Sequence, residues 1–325
     1  MKNFKILTLG CAALLVGCQQ TSEMEQINEE LLVSIEASIS DSGSRVGSRY
    51  SSSDGTPNNL EFDEDDSIGL FMEGKELVQW TKTQSGWDSA KNLYWTNKTT
   101  SYDFYAYYPY VEATSIESVP MPSLKGQTGT VEGLSDCDFL AAYTNQSYGT
   151  DGTVSFTGPD ASFKHVSSLV AVTIKGNCDL AASIIKSISF SADDIASSTT
   201  YSFITNATSV IDGKEVNVMQ SSGLNFKMAG EDKTFYFILN SGISLSDITF
   251  CLRYSTDGVS YKAEKIGLGS GELTSGGRYN FNLSISDGVL NVSGGEIQNW
   301  GDGTQMDDVE INTPTVDEES GDENA

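Results

Sequence analysis

The amino-acid sequence predicts an all-β protein built from β-sandwiches. Short apolar runs recur along the 325 residues and alternate with turns rich in Gly, Asn, Asp and Ser. Many short strands at this spacing are typical of sandwiches, and no long helical periodicity competes with them. The dipeptides Asp257-Gly258 and Asp287-Gly288 are typical of hairpin turns between such runs. The predicted strands are residues 68–72, 93–96, 102–108, 139–144, 169–174, 184–190, 200–204, 234–239, 248–254, 279–285 and 289–292.

The length of the chain suggests two domains, since domains of about 100–200 residues are the norm. The turn Gly158-Pro159-Asp160 interrupts the strand pattern, so we expect the boundary near residues 152–161. The expected division is a signal peptide (1–17), a polar tether (18–30), an N-terminal sandwich (31–155), a C-terminal sandwich (156–300) and an acidic tail (301–325). The tail is rich in Asp and Glu and contains no Lys or Arg, a composition that predicts disorder.

The first residues have the composition of a secretory signal peptide. Lys2 and Lys5 precede an apolar run over residues 6–16, which ends in Leu15-Val16-Gly17-Cys18. These four residues resemble the bacterial lipobox, in which the cysteine is acylated, for example with palmitate, and becomes the mature N-terminus. The run is shorter than the ~20 residues that span a bilayer. We therefore expect Cys18 to anchor an exported chain by lipid.

Residues 32–40 alternate between apolar and polar side chains, which predicts a half-buried strand. The residues expected to point inward are Val33, Ile35, Ala37 and Ile39. Residues 41–59 follow, are rich in Ser and Gly, and contain Arg45 and Arg49. Such a segment is exposed to proteases, so both arginines are candidate cleavage sites.

The charge of the chain excludes some classes of partner. The net charge of −26 disfavours nucleic acid and anionic lipid headgroups, because an acidic chain repels both.

Three cysteines follow Cys18, namely Cys137, Cys178 and Cys251. An odd number allows at most one disulfide among them, and buried free thiols are the simpler interpretation.

The sequence offers little for catalysis. His165 is the single histidine, and its place before an apolar run favours a hydrogen-bonded structural role. Neither GxSxG nor HExxH occurs, and residues 69–75 fit GxxxxGK but are followed by Glu76 instead of Ser or Thr. We predict no enzyme activity, no catalytic residue, no metal site and no cofactor. A secreted hydrolase with paired carboxylates stays open as an alternative, since 45 acidic residues would hide such a pair.

Six aromatic residues crowd residues 102–110, so both faces of the predicted strand carry rings. One interpretation is cross-strand packing, which sheets favour with Tyr and Phe. The other is a sugar-stacking face, with Tyr102, Tyr105, Tyr107 and Tyr108 as its candidate residues. The second interpretation would make the chain a surface carbohydrate-binding lipoprotein.

Several short motifs follow one another in a recognisable order. A lipobox, an alternating strand and an Arg-containing Ser-rich segment come first. The later motifs are Asp66-Ser67-Ile68-Gly69-Leu70-Phe71, Phe163-Lys164-His165-Val166-Ser167-Ser168-Leu169 and Ile297-Gln298-Asn299-Trp300. This order resembles the fimbrillin family of lipoprotein-derived pilins and surface proteins of anaerobic Gram-negative bacteria, and the similarity extends over nearly all of residues 18–300.

The resemblance implies two tandem transthyretin-like β-sandwich domains in an outer-membrane lipoprotein. It also implies cleavage after an arginine, here Arg45 or Arg49, which would remove both Cys18 and the first strand. A strand from a neighbouring subunit would then fill the vacated groove. The expected function is that of a cell-surface pilus subunit, a tip or accessory component, or an adhesin. Its partners would be other pilus subunits and a host or bacterial surface ligand. The acidic tail lacks the alternation of a donor strand, so stalk, tip and anchor roles all stay open.

Overall fold

The computed structural model describes residues 31–39, 61–211, 218–257 and 262–299. The regular secondary structure in these ranges is almost entirely β-strand, which confirms the all-β class. Within them, the helical elements are α1 (Gly158–Ala161) and two 3₁₀ turns, Glu132–Leu134 and Leu245–Asp247. The strands are β1 (Ser34–Ala37), β2 (Ser67–Met72), β3 (Val78–Thr83), β4 (Gly86–Ser89), β5 (Tyr102–Tyr108), β6 (Val119–Pro120), β7 (Leu140–Gln146), β8 (Thr153–Phe156), β9 (Lys164–His165), β10 (Ser168–Ile174), β11 (Ile184–Ser191), β12 (Thr199–Ser202), β13 (Ala207–Val210), β14 (Val218–Gln220), β15 (Phe226–Lys227), β16 (Lys233–Leu239), β17 (Thr249–Ser255), β18 (Lys262–Gly267), β19 (Gly277–Ser286) and β20 (Val289–Asn299).

The first hydrophobic core is shared by two sheets. A six-stranded sheet has the order β4-β3-β2-β5-β7-β9, and a smaller parallel sheet consists of β1 and β8. Leu70 and Phe104 of the larger sheet lie in the same buried cluster as Ile35, Val154 and Phe156 of the smaller one. Alternate residues of each strand point to one face, which is how both sheets supply apolar side chains to one core.

The second core has the same two-sheet arrangement. One sheet has the order β16-β10-β19-β20, and the other places β14, β11, β17 and β18 side by side with β15 also paired to β11. Val172, Phe237 and Phe281 of the first sheet share a buried cluster with Phe190 and Phe250 of the second. The sandwich arrangement predicted from strand spacing therefore accounts for both cores.

The first core extends further along the chain than the expected boundary. Phe156 and Phe163 are fully buried in the first cluster, and β9 pairs with β7 of the first sheet. Val170 is the earliest member of the second cluster. The change from one core to the other thus lies between Phe163 and Val170. A division between residues 155 and 156 would separate two phenylalanines from the core that buries them.

One of the two predicted hairpin turns lies within the described residues and is confirmed. Asp287 and Gly288 connect β19 to β20 with φ values of 55° and 77°. A type I′ turn needs positive φ at both central residues, and the Asp-Gly pair tolerates it. The turn after Asp257 falls partly on residues 258–261, outside the described residues, and the next described strand begins at Lys262.

One local prediction is wrong. Residues 93–96 do not form a strand and contribute one isolated bridge, between Leu32 and Tyr94. Hydrogen bonds to distant segments decide the conformation there, and a local pattern does not encode them.

The two halves of the chain are also joined by backbone pairing. β6, from the first half, pairs with β12 of the second. Gln127 lies against β16, which is an edge strand of its sheet. Its Oε1 accepts a hydrogen bond from the Ile238 amide (2.7 Å), and its Nε2 donates one to the Ile238 carbonyl (2.8 Å). The buried amide thus satisfies backbone groups that an edge strand otherwise leaves unpaired.

Replacing Gln127 with Ala is expected to lower the free energy of unfolding by about 1–3 kcal/mol. The physical reason is that a buried backbone donor and acceptor of Ile238 lose their partners together. Urea unfolding measures the change. Gln84→Ala is the matched control, since the Gln84 amide is exposed and makes one long contact with Glu64 (3.4 Å). Equal stability of the two variants would contradict this role for Gln127.

Candidate functional site

The first described segment of the chain, residues 31–39, fills a slot in the first sandwich. β1 pairs in parallel with β8, and Ile35 lies opposite Val154. Just beyond β1, the Ser38 amide donates to the Phe156 carbonyl (3.0 Å), and the Phe163 amide donates to the Ser38 carbonyl (2.9 Å). This side of the segment is therefore bonded to residues more than a hundred positions later in the sequence.

The segment is also bonded near its start to a different neighbour. The Val33 amide donates to the Leu93 carbonyl (2.8 Å), and the Trp95 amide donates to the Leu31 carbonyl (2.8 Å). Together with β8, these contacts hold the segment at both ends between chain segments that are far apart in the sequence. Removing it would leave the carbonyls of Leu93 and Phe156 and the amides of Trp95 and Phe163 without these partners.

The side chains of the segment follow the predicted alternation. Val33, Ile35 and Ile39 are 2 %, 6 % and 3 % exposed, and all three belong to the first core. Ala37 is half-buried and packs against the same core, while Glu36 is exposed. Burying a large aliphatic side chain contributes about 1.5–3 kcal/mol. The segment thus supplies a substantial part of the apolar contact in this sandwich.

Trp95 closes the slot at the start of the segment. Its Nε1 donates a hydrogen bond to the Gly152 carbonyl (2.8 Å), and its ring meets Phe104 and Tyr148 edge-on at centroid distances of 5.1 and 5.9 Å. Gly152 has φ 77°, and a β-carbon there would lie 2.8 Å from the Tyr148 ring and 3.0 Å from the Leu32 carbonyl. A glycine is therefore needed where β8 approaches the segment.

The segment could be predicted from the sequence, but the residues that receive it could not. The strand β8 was not predicted, although Val154 and Phe156 alternate with Thr153 and Ser155 and could have indicated a short strand. No local signal marks Trp95 as a neighbour of the segment. That contact depends on how distant parts of the chain fold together.

Other predicted site residues lie outside the described residues. These are the acylation candidate Cys18 and the cleavage candidates Arg45 and Arg49. Acylation and cleavage therefore stay predictions. Both arginines come after β1 and before β2 in the sequence.

The sugar-stacking face predicted in residues 102–110 is wrong for Tyr107 and Tyr108. Both rings are buried, in clusters on opposite faces of β5. Tyr102 packs against the first core, and its ring meets Trp95 at a centroid distance of 6.1 Å. Packing therefore explains these three residues, while Tyr105 stays partly exposed.

Gly69 makes the burial of Tyr107 possible. A β-carbon at Gly69 would lie 2.3 Å from Cζ of the Tyr107 ring, so the ring covers the glycine directly. The Tyr107 hydroxyl donates to the Val111 carbonyl, and burial raises the pKa of this phenol. The motif residue Gly69 thus has a packing role, which also accounts for the GxxxxGK match without a phosphate site.

His165 has the structural role that its sequence position predicts. Its Nδ1 lies 3.0 Å from Oδ1 of Asp138, and both side chains are buried. The neighbouring Cys137 is buried as well, and this burial raises the pKa of its thiol to about 11. The thiol is thus protonated at neutral pH and unreactive. Cys137, Cys178 and Cys251 are all free, and the prediction of buried thiols holds for Cys137, whereas Cys178 and Cys251 are half-buried.

The described part of the chain contains neither a metal-binding cluster nor a membrane-spanning helix. No group of three or more His, Cys, Asp or Glu side chains in it is arranged to hold a metal ion. No helix within these ranges has the length and apolar character needed to cross a membrane.

The described residues define an all-β protein with two sandwich cores, in which an N-terminal strand is held between segments distant in the sequence. A family model described as fimbrillin-like matches residues 51–300. The chain therefore belongs to the fimbrillin-like family, which confirms the resemblance found in its motifs.

Solved structures with a similar fold include two proteins described as candidate cell adhesion proteins. The one from Bacteroides uniformis is 20 % identical, and the match covers 74 % of this chain and 93 % of that protein with a TM-score of 0.55. The one from Bacteroides ovatus is 13 % identical, and the match covers 84 % and 98 % with a TM-score of 0.56. Similarity at this level of identity concerns the fold. A comparison with curated proteins gave no match.

Proposed function

We propose that this chain is a non-enzymatic, lipid-anchored protein of the outer membrane that acts as a pilus subunit, a tip or accessory component, or an adhesin. In this proposal its two cores are tandem transthyretin-like domains, and its partners are other pilus subunits and a surface ligand. Membership of the fimbrillin-like family supports such a role. The description of the two similar structures as candidate cell adhesion proteins agrees with it.

The observation that carries the proposal is the way β1 is held. Its segment contributes Val33, Ile35 and Ile39 to the core and is hydrogen-bonded to neighbours near both ends. A groove without this segment would combine an apolar floor with unpaired backbone groups. An incoming strand with alternating apolar residues satisfies both at once, which is the chemistry of strand addition.

The position of the arginines fits an exchange of this strand. A cut after Arg45 or Arg49 separates β1 and Cys18 from every other strand described, because β2 begins at Ser67. One proteolytic event would then free the chain from its lipid and open the groove. Assembly and release from the membrane would be coupled by the order of residues along the chain.

Cleavage by a trypsin-like protease is expected to convert the monomeric precursor into oligomers. The reason is that the released groove of one molecule can accept a strand of another. Light scattering after size-exclusion chromatography measures the mass before and after the cut. The double variant Arg45→Ala, Arg49→Ala is the control and should stay monomeric under the same protease. Cut protein that stays monomeric and as heat-stable as the precursor would contradict the strand-exchange proposal.

Replacing Cys18 with Ala is expected to remove the protein from the membrane fraction or to stall it as the precursor. The thioether-forming side chain is the acylation point in a lipobox, and no other anchor is predicted from the sequence. Membrane fractionation with metabolic fatty-acid labelling checks this. Cys11 lies within the apolar run of the expected signal peptide, so Cys11→Ala is the control and should leave both labelling and location unchanged. Normal labelling of the Cys18→Ala protein would contradict the assignment.

A further inference from the structure

A groove of about 930 Å³ lies on the first sandwich, away from the slot that β1 fills. Its walls are the turn between β2 and β3, the strand β5 and residues 110–116. Phe71 and Tyr105 line it, and both pack in a cluster separate from the first core. The groove therefore belongs to the outer face of the six-stranded sheet, whereas β1 contributes to the core on the inner face.

An aromatic pair lies at this face. Tyr105 of β5 and Tyr143 of β7 are direct cross-strand partners, with ring centroids 5.2 Å apart and a tilt of 36°. Phe203 also contacts Tyr105, at a centroid distance of 5.4 Å. Tyr105 thus packs against two rings, while Tyr143 is 48 % exposed. An exposed ring held in place by its neighbours offers an apolar surface at little cost in side-chain entropy.

A polar row runs directly beside the aromatic pair. Asp103 and Asn145 are the next cross-strand partners on the same face. Oδ1 of Asp103 accepts hydrogen bonds from the Tyr143 hydroxyl (2.9 Å) and from Nδ2 of Asn145 (2.6 Å). A carboxylate can accept about four hydrogen bonds, so Asp103 has capacity for a ligand as well. The bond to Asp103 raises the pKa of Tyr143 and keeps its hydroxyl a donor.

The charges around the groove restrict what it can hold. Glu73, Glu112 and two further carboxylates line it, against the two lysines Lys75 and Lys91. This excess of negative charge disfavours sialylated or sulfated ligands. Because donors and acceptors are both present, the lining suits hydroxyl groups, which donate and accept. A basic peptide would need acceptors alone.

We propose that the outer face formed by this groove and by the Tyr105–Tyr143 pair binds a neutral oligosaccharide. A sugar ring carries an apolar face of C–H groups that packs on an aromatic ring, and a rim of hydroxyls that bonds to Asp103 and Asn145. Pockets that recognise small ligands combine apolar contact with a few oriented polar groups in this way. The proposal is independent of strand exchange, since the site lies on the face of the sheet opposite β1.

Binding of the detergent-solubilised full-length protein to an array of neutral, sialylated and sulfated glycans tests the proposal. Neutral glycans are expected to bind, and titration calorimetry with the best of them gives the affinity. Tyr143→Ala is expected to weaken binding by about tenfold or more, because a stacking surface is lost. Tyr143→Phe keeps the ring and should weaken binding by only a few-fold.

Val289→Ala is the control, because Val289 is similarly exposed (44 %) but lies in the hairpin of the second sandwich. Thermal unfolding checks that each variant is folded, which we expect since Tyr143 is about half exposed and lies outside both sandwich cores. Three results would each overturn the proposal: no neutral glycan bound, unchanged affinity in Tyr143→Ala, or selective binding of anionic glycans or of basic peptides in place of neutral sugars.

Discussion

Replacing Ile35 with Asp is expected to unfold the first sandwich while the second stays folded. Ile35 lies in the middle of β1, opposite Val154, and is 6 % exposed in the first core. Removing a buried isoleucine costs about 2–5 kcal/mol, and burying an unpaired carboxylate costs several more. The total stability of a domain is about 5–15 kcal/mol. The substitution therefore removes most or all of the stability of this sandwich.

Tryptophan fluorescence gives a direct readout of this loss. Trp80, Trp87 and Trp95 all belong to the first core or pack against it, so their emission reports on that sandwich. Glu36→Asp is the matched control, because Glu36 is the next residue of β1 and its side chain is exposed. A thermal midpoint for Ile35→Asp equal to that of Glu36→Asp would show that β1 is not integral to the fold.

Replacing Trp95 with Ala is expected to destabilise the first sandwich by about 3–5 kcal/mol. The substitution removes a buried ring that contacts Phe104 and Tyr148, and it also removes the hydrogen bond to the Gly152 carbonyl. The Trp95 amide still bonds to the Leu31 carbonyl. The substitution therefore weakens the attachment of the first segment to Trp95 but does not abolish it.

A graded series separates the two contributions of Trp95. Trp95→Phe keeps an aromatic ring but loses the Nε1 donor, so it should cost about 1–2 kcal/mol. Guanidinium unfolding followed by far-UV circular dichroism measures both variants. Equal stability of Trp95→Phe and the unmodified protein would contradict the role of the hydrogen bond.

Local sequence patterns were sufficient for the first strand and the hairpin at Asp287. In both places the determining feature is local, namely the period-2 alternation that ends at Ile39 and the positive φ that an Asp-Gly turn allows. The strand could therefore be predicted with its inward side chains. Its pairing could not, because β8 lies more than a hundred residues away and no local pattern encodes parallel register.

The same dependence on distant contacts explains why the burial of the aromatic residues in 102–110 could not be predicted from the sequence. Alternation puts Tyr105 and Tyr107 on one face of β5 and Tyr108 on the other, but it does not show which rings other parts of the chain cover. Tyr107 is covered because Gly69 on the neighbouring strand has no side chain. Tyr143 was not a candidate from the sequence, since its place beside Tyr105 depends on the register of β7.

The measurement that tests the central claim most directly is hydrogen exchange at β8 with and without the first strand. Protein cut after Arg45 or Arg49 is denatured, freed of its N-terminal fragment and refolded alone or with a peptide of residues 31–40. We predict that the amides of Val154 and Phe156 lose protection without the peptide and regain it with the peptide. The amides of Thr153 and Ser155 should change less, because they donate to Oδ1 of Asp151 and Oε1 of Gln146. A peptide carrying Ile35→Asp should not restore it. Equal protection at β8 in all three samples would contradict the view that this strand completes the first sandwich and can be exchanged.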